Sequence, residues 1–439
     1  MLSASGAIAL SGCGQSSSSS SSSSASVTTT ETPYDPLGNY PVASDQATFA
    51  CLVPESGLSR SIGAAYRDGF ELAINHLNTG GPPLNFWPSL SGTGVQNRRI
   101  EMSVRNTASD PSLARQQAIQ LINTENAQMI TGGASSSTVL PVLRVCQQQR
   151  IPFLHGIAHT NSPSGRNCVR YGFREMINVR QTAAALAHFF EDRLPSKPTL
   201  HLLYAGYTWG QTQRAMFERE FSRRDLDTSF ESQSTIPAQS TYRDHVERIS
   251  ASTDLLCIIQ RGLDATTVLE DVSRIGLDAN IDICIPLWSR LTAQTASEHL
   301  ENVYGTVPWN WQLRNQVSIA FLEAFRDQYN RTPSYESLVG YIQPLQYAAA
   351  VERAETFYPP AVIRQLEDHR YDNAGLGSRE RLRACDHQAQ RDVPIVSGRP
   401  VETQQTDQFF KLETVVKRDN VQYECDQRPA SNCELGSYS

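Results

Sequence analysis

The chain has 439 residues, of which 39% are hydrophobic and 19% charged; that is the composition of an ordinary globular protein, and the length suits two α/β lobes better than one small core. Its formal net charge is −7 and its 38 basic residues are scattered without a long run, which argues against a nucleic-acid partner. No run of about eighteen apolar residues is present, so no membrane-spanning helix is expected.

In chain order, the first feature is a short apolar run, Ala7 to Leu10, that closes on Ser11-Gly12-Cys13. Leu10-Ser11-Gly12-Cys13 fits a bacterial lipobox, in which the thiol is diacylated and the cysteine becomes the new N-terminus. Cys13 is therefore the expected lipid attachment site, and residues 1–13 a signal-like segment. Met1 to Gly6 carries no Lys or Arg, which a start codon further upstream would explain. Residues 14–44 follow as a tether. Their unbroken serine run, Ser16 to Ser24, cannot bury apolar area and suits a flexible link between an anchor and a folded domain.

From Asp45 the chain is patterned. Ala47 to Val53 reads as a buried strand, Pro54 to Gly57 as a turn, Ile62 to Leu77 as a helix and Arg99 to Val104 as a strand. Asp110-Pro111 opens a helix running to Ile122, because Asp caps well and Pro suits the first turn. A strand at Gln128 to Thr131, a helix at Ser135 to Gln149 and a strand at Ile151 to His155 complete a βαβαβαβ order, the pattern of a doubly wound parallel sheet. A second set comprises the helix Arg180 to Arg193, strand Thr199 to Tyr204, helix Thr212 to Arg223 and helix Thr241 to Ser250. It continues with strand Asp254 to Gln260, helix Ala265 to Ile275 and strand Ile281 to Ile285. The expected fold is thus α/β, with two Rossmann-like lobes and a cleft between them.

At the third strand-to-helix junction stand Ser135, Ser136, Ser137 and Thr138. Free backbone N–H groups and the positive helix end favour an anion there, and N-capping alone would account for one hydroxyl rather than four.

With Cys13 set aside, the remaining cysteines are even in number, which is compatible with disulfides in an oxidising compartment. No CxxC pair occurs, so a zinc ribbon or thioredoxin-like site is not expected. Cys51, Cys257 and Cys284 lie in apolar strand-like runs and read as buried thiols, whereas Cys425 and Cys433 lie in a polar tail suited to a staple; spacing does not pair them. The chain has no G-x-S-x-G, H-E-x-x-H, P-loop or G-x-G-x-x-G motif. Cys385-Asp386-His387 holds catalytic residue types, but adjacent side chains diverge, so a structural role is expected. Neither an enzyme nor a cofactor or metal site is expected.

Several segments in order resemble the leucine/isoleucine/valine-binding protein family of ABC-transporter receptors. They are Pro54-Glu55-Ser56-Gly57 with Gly63 and Gly69; Asn106 to Pro111; Met129 to Thr138; Arg150 to Leu154; Ala158-His159-Thr160-Asn161; Ile275-Gly276-Leu277; and Cys385 to Gln388. The resemblance runs from about Ala47 to Val401. It implies an N-terminal lobe of residues 45–178 and 310–386, a C-terminal lobe of 179–309 and 387–424, and a tail of 425–439. Three crossings, near Met176 to Arg180, Val307 to Trp311 and Arg383 to Arg391, would form a hinge that closes on ligand.

The resemblance also implies a site. Ser135, with Ser136 beside it, and Ala158 and Thr160 match the family's carboxylate-holding positions, while His159 reads as a surface loop residue. Trp209 stands where the family has a tyrosine that packs on the ligand from the far lobe, Tyr207 lies next to it, and Ser59, Arg60 and Ile62 fall on the pocket-lining turn. Amino-acid-binding members place an acidic residue after the strand Ile281 to Ile285 to hold the ligand ammonium; this chain has Leu287 and Trp288. The expected ligand is therefore a small carboxylate (an amino acid, an amide or an aromatic acid), with no required α-ammonium. The alternative is a shifted alignment in which Glu298 or Glu336 supplies the charge. The expected role is that of a monomeric, lipid-anchored, extracytoplasmic solute-binding protein that serves an ABC importer permease. A ligand sensor for a signalling partner is the alternative, and a secreted α/β hydrolase is disfavoured by the missing nucleophile motifs.

Overall fold

A computed structural model describes residues 45–57, 59–224, 226–371 and 380–438; Cys13 and the serine tract lie outside the described residues. Strands β1 (Gln46–Val53), β2 (Arg99–Asn106), β3 (Ala127–Gly132), β4 (Phe153–His155) and β5 (Gly172–Arg174) form a parallel sheet of order β2-β1-β3-β4-β5. A second sheet holds β6 (Thr199–Ala205), β7 (Ser229–Thr235), β8 (Leu255–Ile259), β9 (Asp282–Ile285) and β10 (Val303–Thr306). A small antiparallel sheet holds β11 (Arg370–Tyr371), β12 (Glu380–Leu382) and β13 (Ala389–Gln390). Strands β14 (Val393–Gly398) and β15 (Phe410–Val416) then complete the second sheet, whose order is β15-β14-β10-β9-β8-β6-β7. Its β6 to β10 are parallel, and β14 and β15 join antiparallel.

The principal helices are α1 (Arg60–Thr79), α2 (Pro111–Asn123), α3 (Ser136–Gln149), α4 (Val179–Phe190), α5 (Thr208–Phe221), α6 (Arg243–Val246), α7 (Leu263–Arg274), α8 (Arg290–Thr295), α9 (Gln316–Tyr329), α10 (Tyr335–Ala354) and α11 (Pro359–Leu366). They cover both faces of the two large sheets because strand side chains alternate. On β1, Phe49, Cys51 and Val53 pack into the core shared with α1 and α10, while Ala50 and Leu52 pack against α2 and α3. On β8, Leu255, Cys257 and Ile259 face the α4 and α5 side, and Leu256 and Ile258 the α7 side. Asp110 caps α2 as expected, accepting the Leu113 N–H at 2.6 Å.

The sequence reading missed one element and overextended another. The polar segment Ser229–Thr235 is strand β7, at the sheet edge, where mostly exposed positions need no apolar alternation. The helix expected over 241–250 is a single turn, α6. Asp271 draws both the Thr241 hydroxyl and the Tyr242 N–H to one oxygen, at 2.9 and 2.6 Å, and so holds the backbone entering that turn.

Cys168 is bridged to Cys433 and Cys385 to Cys425. Cys51, Cys146, Cys257 and Cys284 are free and buried. The three thiols expected in strands are therefore thiols, and the two tail cysteines are stapled to distant partners and not to each other. The Cys385-Asp386-His387 group serves structure. Asp386 pairs with Arg383, and the His387 ring stacks on Phe173 with centroids 3.9 Å apart while its nitrogens face Gly172 O at 2.9 Å and Glu367 at 3.0 Å. Among the described residues no helix is long and apolar enough to cross a membrane.

Candidate functional site

The carboxyl ends of the strands carry the site. Gly132 and Gly133, both at positive φ (111° and 84°), let β3 turn into α3; a side chain on Gly132 would sit 2.1 Å from the Leu52 carbonyl oxygen. Ser135 caps α3 by accepting the Thr138 N–H at 3.3 Å, and its hydroxyl also meets those of Ser137 (2.9 Å) and Thr138 (3.1 Å). Capping thus employs three of the four hydroxyls, more than the single one expected. After β6 the chain turns at once into α5, and Gly210 permits the close approach, since a Cβ there would lie 2.0 Å from the Ala205 carbonyl oxygen.

Between these junctions lies a cavity of about 700 Å³. Ser135, Ser136, Ser137 and Leu140 line it from α3, and Thr160 to Ser162 from the loop after β4. Tyr207, Trp209, Thr212, Met216 and Arg219 line it from α5 and its entry. Arg261 enters just after β8, Arg166 from the loop before β5, and Arg428, Pro429 and Asn432 from the C-terminal segment. The lining holds four arginines and no Asp or Glu.

The sequence-derived residues divide. Ser135, Ser136, Thr160, Tyr207 and Trp209 meet around the cavity, whereas Ala158, Ile62, Leu287 and Trp288 are not among its lining residues. Ala158 is buried in the core between β1, β3 and α3. Ile62 and Leu287 pack against the first lobe's core, and Trp288 is buried in the second lobe's core, 4.6 Å from the Phe410 ring. Leu287 sits at φ 58°, and this turn carries the following Trp288 inward, away from the cavity. Glu298 is exposed, and Glu336 is buried and accepts the Ser289 hydroxyl at 2.7 Å; neither lines the cavity.

His159 is a correction: it is fully buried, not a surface loop residue. Burial, with Arg261 and Arg174 adding repulsion, holds its pKa well below the usual histidine value. The neutral ring donates from Nε2 to the Thr182 hydroxyl at 2.7 Å and accepts the Trp209 indole N–H at Nδ1 at 3.3 Å. His159 therefore orients Trp209. Trp209 lies in the first turn of α5, which starts ahead of the expected Thr212, and it is stacked with Tyr207 at 6.1 Å, with the Arg261 guanidinium 5.8 Å from its ring centroid. The Thr160 hydroxyl is buried and has no hydrogen-bond partner among the described residues, so it is free for a ligand.

A family model described as a periplasmic binding protein matches residues 46–403. The chain belongs to the periplasmic binding protein family. Solved structures with the same fold include an amino acid ABC transporter substrate-binding protein from Pseudomonas fluorescens Pf-5, with TM-score 0.78 and 16% identity, covering 88% of this chain and 99% of that one. A second is a branched-chain amino acid binding protein from Streptococcus pneumoniae in complex with isoleucine (TM-score 0.69, 15% identity, 85% and 99% covered). A third is an ABC-transporter solute-binding protein from Rhodopseudomonas palustris BisB5 in complex with 3,4-dihydroxybenzoic acid (TM-score 0.70, 14% identity, 85% and 98% covered). Among curated proteins none matches.

In this periplasmic binding protein the four arginines are what sequence reasoning missed. Arg261 had a signal, because it stands two residues past the end of a parallel strand, where ligands of α/β sheets gather. Arg219 had a weaker one, three residues beyond Met216 on the α5 face that starts at Trp209. Arg428 and Asn432 had none, since they lie beyond the family-matched residues.

Proposed function

We propose that this binding protein captures a small carboxylate that needs no α-ammonium group, in the cavity between its two large sheets, and hands it to an ABC importer. The observation that carries this reading is the lining: four guanidinium groups and no carboxylate. A buried ammonium would find no counter-charge there, whereas a carboxylate finds Arg261, the unpartnered Thr160 hydroxyl and the N-terminus of α3. Trp209, Tyr207, Leu140 and Met216 supply apolar walls for a ring or chain. One structural neighbour was solved with 3,4-dihydroxybenzoic acid, a carboxylate without an ammonium, and that supports the choice.

The test is calorimetry with a matched pair, 3-phenylpropionate and phenylalanine. The acid should bind at least as tightly as the amino acid. Thr160→Val or Arg261→Gln should weaken it about ten- to a hundredfold, as expected for a lost hydrogen bond to a charged group. Much tighter binding of phenylalanine would refute the reading.

The export signal belongs to the same proposal. Acylated at Cys13 and tethered by the serine tract, the domain would work as an extracytoplasmic monomer beside its permease. Radiolabelled palmitate should enter the wild-type chain in a bacterial host and not a Cys13→Ala variant; equal label in both, or in neither, rejects the anchor.

A further inference from the structure

The cationic groups of the cavity are not gathered at one point. Trp209, Thr212, Met216 and Arg219 lie along one face of α5, and the ten helical steps from Trp209 to Arg219 rise about 15 Å. At the Trp209 end stand Arg261, whose guanidinium lies over the indole, and Thr160, next to the His159 that accepts the indole N–H.

Arg219 marks the other end, and the C-terminal segment reaches it there. Arg180 ties the two together: its guanidinium lies 3.4 Å from Glu220, the neighbour of Arg219, and donates to the Arg428 carbonyl and, at 2.7 Å, to Gln427. Arg166 belongs to this end too, because the adjoining Gly165 sits directly against Pro429; a Cβ on Gly165 would lie 3.2 Å from the Pro429 carbonyl oxygen. The far end is only partly neutralised by the protein. Glu220 is shared among Arg180, Arg219 (3.8 Å) and Arg223 (3.4 Å), while Arg166 and Arg428 have no carboxylate partner among the described residues. On α5, Met216 and Thr212 lie between the ends, and Leu140, Trp209 and Pro429 add apolar surface to the lining.

We propose that the solute carries acid groups at both ends of an elongated apolar body. One is taken by Arg261 and Thr160 beside Trp209, the other by Arg219 and Arg428 at the far end. This rests on the carboxylate reading above and extends it. It also gives the C-terminal segment a role in specificity: the disulfides Cys168–Cys433 and Cys385–Cys425 hold a ligand-reading arginine in place on a segment outside the family-matched residues.

Biphenyl-4-carboxylate and biphenyl-4,4′-dicarboxylate share one body and differ by one acid group. Titrated into the full chain, the diacid should bind at least about tenfold tighter than the monoacid. In an Arg219→Gln/Arg428→Gln double variant the ratio of the two affinities should fall to within about threefold, as expected once the second charged contact is gone. Both side chains are partly or fully exposed, so the fold should tolerate the change. Equal affinities in the wild type, or an undiminished ratio in the variant, overturn the two-ended ligand and leave the carboxylate reading standing. Failure of both acids to bind removes both readings.

Discussion

Arg391→Leu should destabilise the folded chain by about 3–5 kcal/mol, the usual cost of stranding buried charge. Arg391 is 1% exposed and sits where the chain passes from β13 into β14. Its Nη1 donates to Glu175 at 2.5 Å, and its Nε lies 3.6 Å from Glu380. Glu175 belongs to the passage between β5 and α4, and both carboxylates are as buried as the arginine. Gln346 on α10 donates to each, at 2.8 and 3.0 Å. One guanidinium thus serves two carboxylates where the chain leaves the first sheet for the second.

Burial, and then the neighbouring Glu175, push the Glu380 pKa well above the usual carboxylate value, against the pull of Arg391 and Gln346. A carboxyl whose folded pKa is raised favours folding below its unfolded value, and that contribution is lost as pH rises toward the folded value. Without Arg391 the pKa climbs further, so from pH 5 to pH 8 the destabilisation should hold or grow and should not shrink. Adding Glu380→Gln to the variant should recover part of the loss. Urea unfolding at both pH values measures it; a loss under about 1 kcal/mol at pH 8, the range of an exposed ion pair, would mean that water reaches the cluster.

Removing either disulfide should cost about 2–5 kcal/mol. Cys168–Cys433 closes a separation of 265 residues and Cys385–Cys425 one of 40, and both fasten the same C-terminal segment. That segment is also held by hydrogen bonds. Arg170 donates to the Gly436 carbonyl at 3.1 and 2.8 Å, Tyr171 to the Tyr438 carbonyl at 2.6 Å, and the Tyr438 hydroxyl to Glu367 at 2.7 Å. Burial raises the Glu367 pKa, but hydrogen bonds from His387, Tyr438 and Arg170 outweigh it and bring the value down to about 2, so this end of the segment is anchored on a carboxylate that stays charged. Reductant, or the paired serine substitutions, should therefore lower the thermal midpoint while the two large sheets persist. An unchanged midpoint in fully reduced protein would show that the hydrogen bonds alone secure the segment.

Much of the scaffold was readable residue by residue. Ala47 to Val53 and Asp254 to Gln260 announce strands because a parallel strand covered on both faces is a continuous apolar run. Asp110-Pro111 and Ser135 announce helix starts because a cap is a contact between near neighbours. Edge strand β7 escaped for the converse reason, since solvent on its faces leaves no apolar pattern.

The site was readable only where it is local. Ser135 to Ser137 follow directly from a strand end, Thr160, Tyr207 and Trp209 lie in short local segments that carry the family resemblance, and all of them line the cavity. Leu287 and Trp288 also follow a strand end, yet a left-handed turn sends Trp288 into the core. Local sequence establishes strand periods, helix caps and buried thiols, because each depends on residues a few positions apart. Only the tertiary structure decides that Arg166, Arg219, Arg261 and Arg428 line one cavity and that Cys433 reaches Cys168. An isolated arginine on a helix or loop has the same local pattern whether it faces solvent or a ligand, and which it faces depends on contacts made hundreds of residues away.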